Sequence, residues 1–313
     1  MQLWDSAVTL DLAGITMYRF GFFIALAIIA ATAVTAFLSW AKRCEKGTAP
    51  LTVLLSIVLG CFFSRLVFCL LNRELGQFMP FSSWFSITGG GWSMIGLIAG
   101  VMIAAWICAR MTGQNIGELM DISSCAVTIF MVIERIGEEG IPDFDYSRAL
   151  KTDWIRGTFL SFSDEYGTYL ATWRLAAIVM GILFIILATD LIKSKKHGDT
   201  CILFLLLYGA STVILESLRY DRFLSISFVG LEQVLAAVTM FIGIAILAKR
   251  RWETRKMNAG FALALTLIAI GIGVGLEFAL DRTNINRLLI YGLFIFVIFM
   301  PVVMGVFLRR EKL

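Results

Sequence analysis

The sequence predicts an all-α fold: a polytopic membrane helix bundle of about nine transmembrane helices. Three observations predict it. First, 59% of the 313 residues are hydrophobic and only 16% are charged, whereas a soluble domain is nearer 45–50% apolar and about 25% charged. The mean hydropathy is +0.84. Second, the apolar runs are continuous and roughly 20 residues long, the length that crosses a hydrocarbon core as a helix, and they lack the alternation of a barrel strand. Third, basic residues cluster after every second run, as alternating spans require. The net charge of +4 is that of basic loops holding topology, and it gives no reason to expect a nucleic-acid partner.

The expected spans are Tyr18–Trp40, Leu51–Leu71, Trp92–Arg110, Ile122–Ile136, Tyr169–Ile192, Cys201–Leu218, Gly230–Leu247, Phe261–Leu280 and Leu288–Leu308. The fourth is short unless it begins near Gly117. Lys42, Arg43 and Lys46 follow the first span, and Lys193, Lys195 and Lys196 follow the fifth. Lys249, Arg250, Arg251, Arg255 and Lys256 follow the seventh, and Arg309, Arg310 and Lys312 end the chain. The positive-inside rule makes that side cytoplasmic, which sets the N-terminus outside and the C-terminus in the cytoplasm. Met1 to Thr16 carries acids and no basic n-region, so a cleavable signal is not expected.

Two regions are expected: a seven-helix domain over 1–256, with an outer cap around 137–167, and an added two-helix hairpin over 257–313. The aromatic- and glycine-rich loop Asn72–Gly91, the polar Gly137–Gly167 segment and the loop with Asp221 and Arg222 all fall on the outer side. The six cysteines form no CxxC pair and read as small packing residues. The single histidine, His197, lies in a basic loop, so neither a metal nor another cofactor is expected.

The chemistry-bearing residues collect at outer span ends. Met131–Gly140 packs Glu134, Arg135, Glu138 and Glu139 into about two helical turns. Arg219 ends the sixth span, with Glu216 three residues earlier on the same helix face. Arg65 lies in the outer half of the second span and Arg19 at the outer start of the first. A guanidinium stays charged and forks onto phosphate, so arginines gathered at one depth suit an anionic phospholipid headgroup. Snorkelling anchors explain single arginines equally well. Gly96 and Gly100 have GxxxG spacing, which lets a second helix come close, and glycines opening a helix also bare N–H groups to a phosphate.

In this order and spacing the residues resemble the prolipoprotein diacylglyceryl transferases of bacterial inner membranes. The resemblance covers roughly Tyr18 to Leu247. It rests on Gly90-Gly91-Trp92-Ser93 with Gly96 and Gly100-Val101, on Arg135-Ile136-Gly137, on Tyr208-Gly209 with Glu216 and Arg219, on Gln233 and Leu235, and on Arg65-Leu66. It departs from the family at Ile95, where a histidine is usual, at Glu138 for an asparagine, at Phe20 for a tyrosine and at Thr212 for a second span-six arginine. A histidine-proline is missing near Thr168-Tyr169, and the last two spans exceed the usual seven.

The resemblance implies transfer of a diacylglyceryl group from phosphatidylglycerol to the lipobox cysteine of a lipoprotein-precursor signal peptide, in the bacterial plasma membrane. It implies catalytic roles for Arg135 and Arg219. It implies substrate-binding roles for Gly90, Gly91, Ser93, Gly96, Gly137, Arg65, Tyr208, Glu216 and Gln233. With no outer histidine, Glu138 or Glu134 is the expected substitute base for the thiol. Three other readings stand beside it: a phospholipid-binding membrane protein without catalysis, a related lipid transferase with a different acceptor, and a small transporter. The transporter reading is weakened by the lack of inverted repeats and by few central charges beyond Arg65 and Arg174.

Overall fold

The computed structural model describes residues 9–12, 15–74, 91–139, 155–163, 167–194, 196–219, 225–226, 228–283 and 285–310. Among these, nine helices are long and apolar enough to cross a membrane. They are α1 (Arg19–Ala41), α2 (Thr48–Glu74), α3 (Met94–Thr112), α4 (Ile116–Gly137), α5 (Thr172–Lys193), α6 (Asp199–Ser217), α7 (Leu231–Arg251), α8 (Lys256–Arg282) and α9 (Arg287–Arg310). The fourth span takes its longer form. Asn115 caps it by accepting from the Gly117 and Glu118 amides, which satisfies N–H groups that a helix start leaves unpaired.

Sequence periodicity does not anticipate three small antiparallel hairpins. They are β1 (Thr9–Leu12) with β2 (Ile15–Tyr18), β3 (Ser161–Ser163) with β4 (Thr168–Leu170), and β5 (Ser225–Ile226) with β6 (Val229–Gly230). Each runs directly, or through a single residue, into α1, α5 or α7 respectively. Strands of two to four residues are too short to leave a period-2 signal.

The chain divides into two compact units. Unit 1 is Met1–Tyr146 with Ala171–Cys201; unit 2 is Ser147–Leu170 with Ile202–Leu313. In unit 1, Gly96 and Gly100 press α3 onto α2. A Cβ on Gly96 would lie 2.5 Å from the Phe63 carbonyl oxygen, and one on Gly100 would strike the Leu59 carbonyl. At the opposite end of α4, buried Asp121 accepts from the Gly198 and Cys201 amides at 2.7 Å each, fastening the start of α6. No disulfide joins the six cysteines.

In unit 2, Gly209 brings α6 against α7, since a Cβ there would lie 2.6 Å from the Ala236 carbonyl oxygen. Gly305 of α9 meets Leu206 and Ile244, so the last helix packs on both α6 and α7. Gly273 of α8 packs on Phe294 and Ile298 of α9. Large apolar side chains on α1 (Ile29, Phe37, Trp40) and α8 (Phe261, Leu267, Ile268) remain exposed. Such surfaces belong against lipid tails, where burial from water is supplied by the bilayer.

Candidate functional site

Within unit 1, the charged stretch that ends α4 folds onto itself. Glu138 follows the last turn of α4, and Arg135 Nη1 donates to its Oε1 at 2.6 Å. Arg135 Nε lies 3.5 Å from Glu134 Oε2. Side-chain exposure is 13% for Arg135 and 3% for Glu138, so the pair is largely withdrawn from water, where its mutual attraction is least screened. Arg135 also sits in the last helical turn, where a cation complements the helix dipole. Gly137 allows this end of α4 to close on α1: a Cβ would fall 2.6 Å from Phe23 Cβ.

Glu139 joins three helices. Its carboxylate accepts from Arg19 at the start of α1 and from Arg174 in the first turn of α5, the latter at 2.7 Å. Burial pushes the Glu139 carboxyl up, but the hydrogen bonds from Arg174 and Arg19 outweigh it and hold the group below its usual 4.5. Arg19 also lies over the Phe23 ring, and Arg174 over the ring of Trp173.

The glycine-rich signature is fastened to α2. Arg65 Nη1 donates to the Gly91 carbonyl at 2.7 Å, and its guanidinium lies over the rings of Phe68 and Trp92. Ser64 Oγ donates to the Ser93 carbonyl at 2.7 Å while the Ser93 amide donates to the Ser64 carbonyl at 3.2 Å. Ser93 then caps α3, its hydroxyl accepting from the Gly96 amide. Gly91 has φ +75°, and a Cβ there would collide with the Phe68 ring. Glycine is required on both counts. Gly90, most of the 72–91 loop and most of the 137–167 segment lie outside the described residues, as do Asp221 and Arg222.

Unit 2 carries Tyr208, Glu216, Arg219 and Gln233. Tyr208 is buried and stacks on Phe204 with centroids 5.4 Å apart. Arg219 Nη1 lies 3.6 Å from Glu216 Oε1, a looser approach than the Arg135–Glu138 pair. Gln233, near the start of α7, donates from Nε2 to the Val213 carbonyl at 3.1 Å and to Glu277 Oε2 at 3.2 Å. Ser217 Oγ donates to the same carboxylate oxygen at 2.7 Å, and Tyr291 Oη donates to the Ser217 carbonyl at 3.0 Å.

Sequence reasoning therefore finds Gln233 but misses Glu277, Ser217 and Tyr291, and it finds Glu139 only as a neighbour of Arg135. A signal for Glu277 was present. It is an acid inside the expected span Phe261–Leu280, and an ionisable residue at that depth needs partners.

The profile of prolipoprotein diacylglyceryl transferases matches residues 7–249. Proteins named phosphatidylglycerol–prolipoprotein diacylglyceryl transferase are similar to this chain. That of Symbiobacterium thermophilum is 28% identical over 176 residues, 53% of this chain and 62% of its own length. That of Legionella pneumophila is 27% identical over 164 residues, 51% of this chain and 63% of its own. That of Streptococcus sanguinis is 27% identical over 168 residues, 50% of this chain and 60% of its own. The chain thus spans about three fifths of the length of these relatives.

Proposed function

We infer the function from one premise: the chain belongs to the prolipoprotein diacylglyceryl transferase family. It transfers the diacylglyceryl group of phosphatidylglycerol to the cysteine of a lipoprotein-precursor signal peptide, at the outer face of the bacterial plasma membrane. In that reaction the cysteine thiolate attacks the glyceryl carbon of the lipid. A carbon–sulfur bond forms, the carbon–oxygen bond to the phosphate breaks, and glycerol phosphate leaves with the electron pair. The thiolate is the reactive form, and the departing phosphate needs positive charge held where its negative charge grows.

The observation that carries the reading is Arg135, a guanidinium largely withdrawn from water at the end of α4 and held against Glu138. In a dry site it meets a lipid phosphate with strength that water would remove. Within unit 1, Arg65, Gly91 and Ser93 shape the start of α3 for a headgroup; within unit 2, Arg219 with Glu216 is a further guanidinium suited to a phosphate. Gly90, Gly96, Gly137, Tyr208 and Gln233 complete the substrate-binding set in this reading. When a phosphate takes over Arg135, Glu138 is released from its partner and accepts the thiol proton.

A second reading has its own support. Arg135 and Arg219 each already face an acid, and Ile95 and Thr212 stand where the family carries a histidine and an arginine. A phospholipid-binding protein without transfer fits those features. Purified full-length chain, mixed with labelled phosphatidylglycerol and a lipobox peptide, separates the two. Transfer predicts a peptide mass gain of one diacylglyceryl group and release of glycerol phosphate. Bound phosphatidylglycerol with an unchanged peptide selects the second reading. Should Glu138→Gln transfer at the full rate, Glu138 is not the base.

A further inference from the structure

We propose that Glu277, supplied by the C-terminal hairpin, aims the Gln233 carbonyl as the acceptor for a hydroxyl of the phospholipid headgroup. The inference rests on the phosphatidylglycerol reading above and adds to it a residue that the seven-helix family pattern does not contain.

Gln233 is 4% exposed, and Glu277 and Ser217 are fully enclosed at 0%. A carboxamide offers two N–H donors and one carbonyl acceptor. Both directions of the Gln233 nitrogen are engaged, one by the Val213 carbonyl and one by Glu277 Oε2. Its carbonyl oxygen, Oε1, is buried without a hydrogen-bond partner. Turning the amide over offers no escape. Oε1 would then face two acceptors, the Val213 carbonyl and the Glu277 carboxylate, in a setting where like partial charges repel strongly.

The carboxylate and the Val213 carbonyl together decide which way the amide points. Its own position is set in turn. Ser217 Oγ donates to it at 2.7 Å, and Tyr291 Oη fixes the Ser217 backbone at 3.0 Å. Two residues of the hairpin, Glu277 on α8 and Tyr291 on α9, thus hold one side chain near the start of α7 in a single orientation.

A buried acceptor left unmet is costly, and a bound donor relieves that cost. The donor chemistry follows from the neighbourhood. The acceptor needs an N–H or O–H donor, and Arg219, two residues from Ser217 along the chain, offers a cation to a phosphate. A hydroxyl on a phosphate-linked headgroup meets both conditions, as in the glycerol of phosphatidylglycerol. Gln233 is the contacting residue, and Glu277 is a positioning residue.

The test compares two lipids that share a phosphate and differ in headgroup hydroxyls. Full-length protein in nanodiscs containing equal phosphatidylglycerol and phosphatidic acid of identical acyl chains is assayed for bound lipid by native mass spectrometry. Thermal unfolding and diacylglyceryl transfer are measured on the same samples. Wild type is expected to favour phosphatidylglycerol. In Glu277→Gln the charged acceptor is gone and the Val213 carbonyl alone directs the amide, so the preference falls by up to about tenfold, the size of one lost buried hydrogen bond. Phosphatidic acid binding and the melting temperature stay close to wild type, which a merely structural role for Glu277 would not produce.

If Glu277→Gln is folded and keeps the preference, the proposal is wrong while the transfer reading stands. If Glu277→Gln does not fold, Gln233→Met carries the test, and an unchanged preference in that variant overturns the proposal as well. A wild type that prefers phosphatidylethanolamine, added as a third lipid, rejects hydroxyl recognition. A wild type with no phosphatidylglycerol preference and no transfer overturns the functional reading, and this inference with it.

Discussion

The two units handle their acids differently. At the α4 end of unit 1, carboxylates face guanidinium groups: Glu138 meets Arg135, and Glu139 bridges Arg19 and Arg174. In unit 2, Glu277 accepts hydrogen bonds from a hydroxyl and a carboxamide, while Glu216 approaches Arg219 only to 3.6 Å. An ion pair has a partner that an incoming anion can displace, because the guanidinium forks onto phosphate as readily as onto carboxylate. A carboxylate that accepts from a hydroxyl and a carboxamide does a second job. It fixes the directions of the groups that donate to it. The α4 end of unit 1 is therefore suited to exchanging charge, and the Glu277 network of unit 2 to orienting dipoles.

The largest expected effect breaks the unit 1 side of that contrast. Arg135→Ala leaves Glu138 and Glu134 without their shared guanidinium in a site that water scarcely reaches. Removing one partner of a buried pair costs about 3–5 kcal/mol. The variant is expected to melt well below wild type in detergent, and under the proposed function to lose transfer. Arg219→Ala in unit 2 is expected to cost less stability, because the 3.6 Å pair gives up less attraction. Equal losses in the two variants, read by thermal unfolding, would remove the distinction between the units.

A middle-sized effect tests whether the α2–α3 face depends on its glycines. Gly96→Val puts a branched side chain where the Phe63 carbonyl oxygen and Ser64 Cα already lie within 2.8 Å of an added Cβ. The neighbour is backbone and has nowhere to rotate. Overpacking of this kind costs about 1–3 kcal/mol, so a lower melting temperature is expected. The same substitution at Gly271, where an added Cβ meets nothing, is expected to leave the melting temperature nearly unchanged.

Most of the helical architecture is legible in the residues, because continuous apolar length is a strong signal and water-free surroundings permit few alternatives. Gly96 and Gly100 announce a helix contact, although their spacing does not say that α2 is the partner. Glu134, Arg135 and Glu138 are legible as a cluster because they are neighbours on one helix end. The Ser217–Glu277–Gln233 network is not. Its members are 60 and 44 residues apart along the chain, and no local period records which long-range pairs will meet. The short hairpins before α1, α5 and α7 escape for a different reason: their stabilising hydrogen bonds are backbone bonds, to which side-chain patterns are nearly blind.

The smallest effect sharpens the comparison through pH. Glu139 lies in the turn after α4, and Arg174 and Arg19 lower its carboxyl below the usual 4.5 despite its burial. A lowered folded value means that the ionised form is favoured by folding. The stability this contributes is complete above the unfolded value near 4.5 and drains away as pH falls through the lowered folded value. Glu139→Gln removes that dependence. The wild-type advantage over Glu139→Gln is expected to be about 1 kcal/mol at neutral pH, modest because all three side chains keep some contact with solvent. It should shrink as the sample is acidified below pH 4.5. Melting temperatures of both proteins across pH 3 to 7 check this. An advantage that instead grew on acidification would mean that Glu139 is not held as a carboxylate by its two arginines, and that unit 1 joins α1, α4 and α5 by some other contact.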